Sequence, residues 1–257
     1  MANISFLASS QATSGNASTL SVTAPAGTTI GDLVIVIAAR NAFATTDSII
    51  DNNAGHVFTK DRHDWEAGNG LSLVIFSKRI VSGDPGSYSF KFSGDTGTTR
   101  FSLGALTFRD PDGTTIYDVI PSGTTEVHKS PDSATVNIAS VTSTRSGCVH
   151  VMCATREGGT GQFDSTPTGY TKELTLSGGS ALNTIWYKVL GAAGATGAQT
   201  VTASGGGSGS TQTQSFIILN GAAPASFTLT ANSGAYTESG VDATLRIGAF
   251  TYLRYSK

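Results

Sequence analysis

An internal duplication constrains this chain more than any single residue does. Gly31-Asp-Leu-Val-Ile-Val-Ile-Ala-Ala-Arg40 returns as Gly147-Cys-Val-His-Val-Met-Cys-Ala-Thr-Arg156, roughly 116 residues later. Glycine, alanine and the closing arginine coincide, and nearly every position between them is apolar in both copies. The segment Leu71 to Lys78 is answered by Leu182 to Lys188. Each then runs through a turn, Asp84-Pro85-Gly86 in one copy and Ala195-Thr196-Gly197 in the other. An alternating segment follows (87–94, matched by 198–205), and a last apolar one closes each unit, Phe101 to Phe108 and Phe216 to Leu219. Segments in one order at nearly constant offset make two copies of a single unit.

The unit is β. Leu33 to Ala39 is apolar at every position, the pattern of a central strand covered on both faces. Tyr88, Phe90 and Phe92 alternate with Ser89 and Lys91, as in a strand with one face buried. Charged residues make up 13% of the chain, about half the ~25% of an ordinary globular protein. Glycine, at 31 of 257 residues, exceeds the ~7% average. Few charges, many Gly, Ser and Thr, and strands rich in Val, Ile and Phe predict many turns and little helix.

These patterns predict an all-β chain: two jelly-roll-like β-sandwich units in tandem plus a short C-terminal β element. The first unit takes residues 1–110. Asp110-Pro-Asp-Gly113 and Pro121-Ser-Gly-Thr-Thr125 punctuate a connection over 111–132, with Thr115 to Ile120 as a short strand inside it. The second unit, a repeat of the first, spans 133–221, with 204–211 as a low-complexity hairpin tip. Residues 222–257 form short segments carrying Phe227, Leu229, Tyr236, Leu245, Phe250 and Tyr252. They are too small to hold a core alone, so they are expected to serve as an assembly element.

Charge and motifs argue against several functions. A net charge of −2 with scattered Lys and Arg lacks the clustered basic face of a nucleic-acid binder. The longest apolar run, Leu33 to Ala39, is far short of the ~20 residues of a membrane span. The start, Met1-Ala-Asn-Ile-Ser5, lacks the basic and apolar regions of a secretion signal, so cytoplasmic synthesis is expected. Cys148 and Cys153 lie in one strand on opposite faces, which suits two buried thiols rather than a disulfide. Lys60-Asp-Arg-His-Asp-Trp-Glu66 gathers a histidine and three carboxylates. It has no second histidine, and 164–170, at about the matching place in the second copy, is nearly uncharged. A solvated strand end and loop is the expected reading. No nucleophile elbow or phosphate loop is present. No catalytic residue, metal or cofactor is expected, and the chain does not read as an enzyme. Among the aromatics, Trp186 is expected in the core. For Trp65 and Tyr170, packing and ligand or host contact both stay open.

The segment 31–40, Gly169-Tyr-Thr171 and Ile185-Trp-Tyr-Lys-Val189 together resemble β-sandwich accessory proteins of tailed bacteriophage particles. Phe227-Thr-Leu-Thr-Ala-Asn-Ser-Gly-Ala-Tyr-Thr-Glu-Ser-Gly-Val-Asp-Ala-Thr-Leu245 resembles a motif at the C-termini of phage virion proteins. The resemblance implies a virion protein assembled in the host cytoplasm: a head decoration or spike, or a minor tail or fibre component. Its partners are then other capsid or tail proteins and further copies of itself, with neither nucleic acid nor membrane insertion. The competing expectation is a carbohydrate- or receptor-binding module that uses Trp65 and Tyr170 on a host-surface glycan.

Overall fold

The computed structural model describes residues 4–14, 17–41, 49–65, 71–92, 100–109, 111, 115–128, 135–157, 163–178, 181–203 and 209–218. In the first half these form β1 (Ser5–Ser14), β2 (Thr19–Thr23), β3 (Leu33–Asn41), β4 (Ile49–Asp51), β5 (Thr59–Trp65), β6 (Leu71–Arg79), β7 (Ser87–Phe92) and β8 (Arg100–Arg109). The second half contains β9 (Tyr117–His128), β10 (Thr135–Ile138), β11 (Thr142–Ser143), β12 (Val149–Glu157), β13 (Thr171–Gly178), β14 (Ala181–Val189), β15 (Gly194–Ala195), β16 (Gln199–Thr202) and β17 (Gly209–Ile218). The described residues are all-β and every strand pair is antiparallel.

Each half builds one large and one small layer, and the halves match strand for strand. The first large sheet runs β1-β8-β3-β6-β5 and the second runs β9-β17-β12-β14-β13. The small layer is β2-β7-β4 in the first half. In the second half it is β10-β16, extended by the single bridge Phe163–Ala203, with the two-residue pair β11-β15 beside it. Registers fix the equivalence. Leu33 faces Phe108 and Arg79, while Val149 faces Ile218 and Val189. The duplicated glycine is explained by its backbone: Gly31 (φ 93°) and Gly147 (φ 72°) both turn into their strand with positive φ, where a Cβ is penalised.

The two large sheets pack on each other. Leu33, Ile35, Ile37 and Ala39 of β3 meet Val149, Val151 and Cys153 of β12 in one buried core, joined by Ile75, Ile185 and Phe216. The other face of β3, Val34, Val36 and Ala38, packs against Phe58, Tyr88 and Phe90. The other face of β12, Met152 and Ala154, packs against Val136, Ile138 and Trp186. This two-sided coverage is why both strands read as unbroken apolar runs. β1 lies against β13 and β5 against β9, so the halves are related by an approximate twofold axis along the strands.

Two boundaries differ from the sequence expectation. The halves are not separate tandem sandwiches; they share the central core, and residues 1–224 form one compact unit. The connection expected over 111–132 is largely β9, the first strand of the second half and the counterpart of β1. Pro121 and Gly123 suggested a turn. Instead they lie in an edge strand, with Pro121 at the register shift between Val119 and Ser122. There a missing N–H costs no ladder bond. Residues 204–208 of the expected hairpin tip, and the whole C-terminal element 222–257, lie outside the described residues.

Candidate attachment surface

Strands β3 and β12 start at the same end of this unit, as contacts between the strands flanking those starts show. Phe6, paired with Phe108, stacks on Tyr187 with ring centroids 4.5 Å apart. Tyr117, paired with Ile218, donates its hydroxyl to Asp61 Oδ2 at 2.7 Å. Among the described residues, the five exposed large apolar side chains are Ile30, Val57, Val81, Ile120 and Val189. All lie at this end by register or by chain neighbourhood, and the described chain finishes here at Ile218.

Three of the five stand on loops of the first half: Ile30 (68% exposed) before β3, Val57 (69%) before β5 and Val81 (51%) after β6. Ile30 and Val81 line a shallow groove of about 530 Å³ with Thr28, Thr29, Ser82 and Asp84. The loops beneath are fixed by buried carboxylates. Asp32 receives Arg109 Nε at 3.1 Å, Arg109 Nη2 at 3.0 Å and the Thr29 amide at 2.8 Å. Arg109 also donates to the Gly27 carbonyl at 3.0 Å. Burial pushes the Asp32 carboxyl up, but the Arg109 and Thr29 bonds outweigh it and hold it below the usual range. Asp84 Oδ2 accepts the Val81 amide at 2.8 Å, while Oδ1 takes Lys78 Nζ at 3.1 Å and His56 Nδ1 at 2.6 Å. Burial again raises this carboxyl, and these bonds more than offset it. The His56–Asp84 bond ties the loop carrying Val57 to the loop carrying Val81.

The second half provides an internal control. By register, Ser146, Gly169 and Gly191 occupy the places of Ile30, Val57 and Val81. Cys148 stands where the first half has Asp32. Lys188, the counterpart of Lys78, lies over the Tyr170 ring, 5.3 Å from its centroid. The shared fold therefore does not require the apolar tips or their carboxylate anchors. Apolar tips at these three loop positions belong to the first half. The second half braces a turn of its own, with Asp118 accepting the Ser143 hydroxyl at 2.8 Å and the Thr144 amide at 2.6 Å, but that turn carries no large apolar side chain. A large apolar side chain held in water on an ordered loop suits contact with another surface.

Of the two residues singled out for ligand contact, Tyr170 is core. It is the counterpart of buried Phe58, itself 8% exposed, and it packs with Met152, Phe163 and Trp186. Of the two readings left open for it, its burial favours packing. Trp65 closes β5 opposite Ser72, and its side chain lies outside the described residues. Phe227, Leu229, Tyr236, Leu245, Phe250 and Tyr252 lie outside them as well. The charged segment 60–66 is more structural than its sequence suggested. β5 bulges between Lys60 and Arg62, and Asp61 sits half-buried under Tyr117. Its counterpart is Glu173, in the matching bulge of β13, which accepts the Ser9 hydroxyl at 2.7 Å. The sequence comparison with 164–170 was thus out of register.

One polar network escaped the sequence reading. His150 is fully buried, with Nδ1 2.6 Å from the Tyr170 hydroxyl and Nε2 2.7 Å from Ser215 Oγ. A serine beside a histidine has the geometry of a nucleophile and its base. Ser215 is only 2% exposed, however, so no substrate carbonyl reaches it and the network serves packing. Burial, with the Lys188 charge adding to it, pushes the imidazole down to about 4. Cys148 and Cys153 are buried in different cores. Among the described residues no three His, Cys, Asp or Glu side chains converge as metal ligands, and no helix is long and apolar enough to cross a membrane. No protein-family model, curated protein or solved structure matches the chain.

Proposed function

We propose that this protein is a structural component of a bacteriophage particle, a head decoration or spike or a minor tail or fibre protein, acting by attachment. The observation that carries attachment is the difference between the halves. The same fold, built twice in one chain, exposes Ile30, Val57 and Val81 in one copy and Ser146, Gly169 and Gly191 in the other. Anchored loops lose little conformational freedom on docking, so apolar burial there converts more fully into affinity. The phage assignment rests on the sequence resemblance of residues 31–40, 169–171, 185–189 and 227–245. Its partners are then other virion proteins, met at the end of the unit where the apolar tips stand.

Gold-labelled antibody against the protein, applied to purified particles of the phage that encodes it, tests this reading. Label on the head or the tail supports a virion component and identifies which part it serves. Unlabelled particles, with the protein left in the soluble fraction, refute it.

A further inference from the structure

The two large sheets leave four outer edges, β1, β5, β9 and β13. Exposed edges are templates for unwanted pairing, and proteins blunt them with charge, proline or bulges. β5 carries Lys60, Asp61, Arg62 and Asp64 and a bulge. β13 carries Lys172, Glu173 and a bulge. β9 carries Asp118, Pro121, Glu126 and register shifts. β1 differs. Its sequence, Ser-Phe-Leu-Ala-Ser-Ser-Gln-Ala-Thr-Ser, holds no charge and no proline. Past its one irregularity, between Phe6 and Ala8, the stretch Ala8 to Ser14 pairs with Thr107 to Phe101 without interruption. Among the described residues, no strand pairs with its other side.

We infer that the outer edge of β1 is a pairing surface for a second copy of this chain, β1 against β1 in antiparallel register. Identical antiparallel strands are self-complementary about a twofold axis, the commonest closed symmetry of homo-oligomers. The chemistry selects β1 for this role. Self-pairing of β5 on its centre sets Arg62 against its own copy, and like charges directly opposite destabilise a sheet; β13 brings Lys172, Glu173 and a bulge to such a seam. The regular stretch of β1 sets only Ala, Ser, Thr and Gln against one another. Centred on itself, that stretch places Gln11 opposite Gln11 and Thr13 opposite Ser9. The result is one sheet continuous across both copies, with backbone hydrogen bonds supplying the attraction and β1 no longer an edge. The inference extends the assembly reading and rests on it for biological sense, while its physics is independent of the phage assignment.

Gln11 is exposed, so its substitution leaves the core intact. The test measures the mass of the full chain in solution for wild type, Gln11→Lys, Gln11→Glu and an equimolar mixture of the two variants. The expected result is a wild-type dimer, monomers for each variant alone that stay folded and unfold cooperatively, and a dimer restored in the mixture, where Lys faces Glu. A monomeric wild type overturns the inference. So does a lysine variant that dimerises like wild type, and so does a mixture that stays monomeric. A dimer whose particles carry no gold label leaves this pairing standing and sinks only the phage reading.

Discussion

Replacing Tyr170 with Phe removes one oxygen and should destabilise the protein by about 1–3 kcal/mol, the cost of leaving a buried polar group without its partner. That group is His150 Nδ1, 2.6 Å from the Tyr170 hydroxyl and sealed from water. A neutral imidazole has one donor and one acceptor, and Tyr170 and Ser215 engage both nitrogens. The first half shows how the same site is built without polarity. Val34, Phe58 and Ala105 occupy the places of His150, Tyr170 and Ser215, and all three are buried. The triple variant His150→Val, Tyr170→Phe, Ser215→Ala removes every member of the network together and should recover most of the loss from Tyr170→Phe alone.

Acid sharpens the test. His150 titrates near 4 in the fold against 6.5 when free, so between those values the unfolded chain holds a proton that the folded chain refuses. Stability therefore falls as pH drops from 6.5, and the loss is complete below about 4. At about 1.4 kcal/mol per pH unit, the gap corresponds to about 3 kcal/mol. Carboxylates also titrate in this window, but they are common to wild type and triple variant, so the informative quantity is the difference between the two. Urea midpoints at pH 7 and near pH 4 measure it. The triple variant should lose less stability than wild type over that interval. Parallel losses, or a neutral Tyr170→Phe, would refute the argument that burial of this histidine is held up by its two hydroxyl partners.

Burial raises the Asp61 carboxyl, and the bond it accepts from the Tyr117 hydroxyl only partly opposes this. Asp61→Asn keeps an acceptor for the Tyr117 hydroxyl and removes the desolvated charge, so denaturant midpoints at pH 7 should match or exceed wild type. Asp61→Ala, which orphans that hydroxyl, should lose about 1 kcal/mol or more. The advantage of Asn should shrink as pH falls through the raised pKa, where wild-type Asp61 becomes neutral too. Gly31→Ala should cost about 1–2 kcal/mol in a melting experiment through its φ of 93° alone, since nothing lies within 4 Å of the added Cβ. Ile30→Asp and Val81→Asp should stay within about 0.5 kcal/mol of wild-type stability, as exposed substitutions do. Both should abolish particle labelling, and labelling that survives them would move the attachment surface elsewhere.

The central strands were legible because burial on two faces writes an unbroken apolar run, which β3 and β12 both carry. The sharing of one core by the two halves was not legible. A strand covered by its own small sheet on one side reads the same whether the other side meets a domain partner or the other half. β9 was hidden by Pro121 and Gly123, which an edge strand accepts and a central strand does not. The equivalence of Asp61 and Glu173 was hidden by two bulges, since a bulge shifts register without altering composition. His150 lies in the second copy of the unbroken apolar run, which places it in a central strand. Its partners, 20 and 65 residues away, were not legible, because polar networks in sheets form across strands rather than along them.

A duplicated fold also separates what folding needs from what it merely permits. Gly31 and Gly147 share a positive φ, and their amides meet the Ile80 and Leu190 carbonyls in the same way, at 2.9 and 2.6 Å. Those features survive in both copies because the turn into the central strand depends on them. Ile30, Val57 and Val81 have no apolar counterparts, and neither the core nor the ladders would change without them. Exposed apolar groups reduce solubility and contribute nothing to the isolated unit. Three of them on carboxylate-braced loops at one end are therefore better explained by something that covers them than by the fold that carries them.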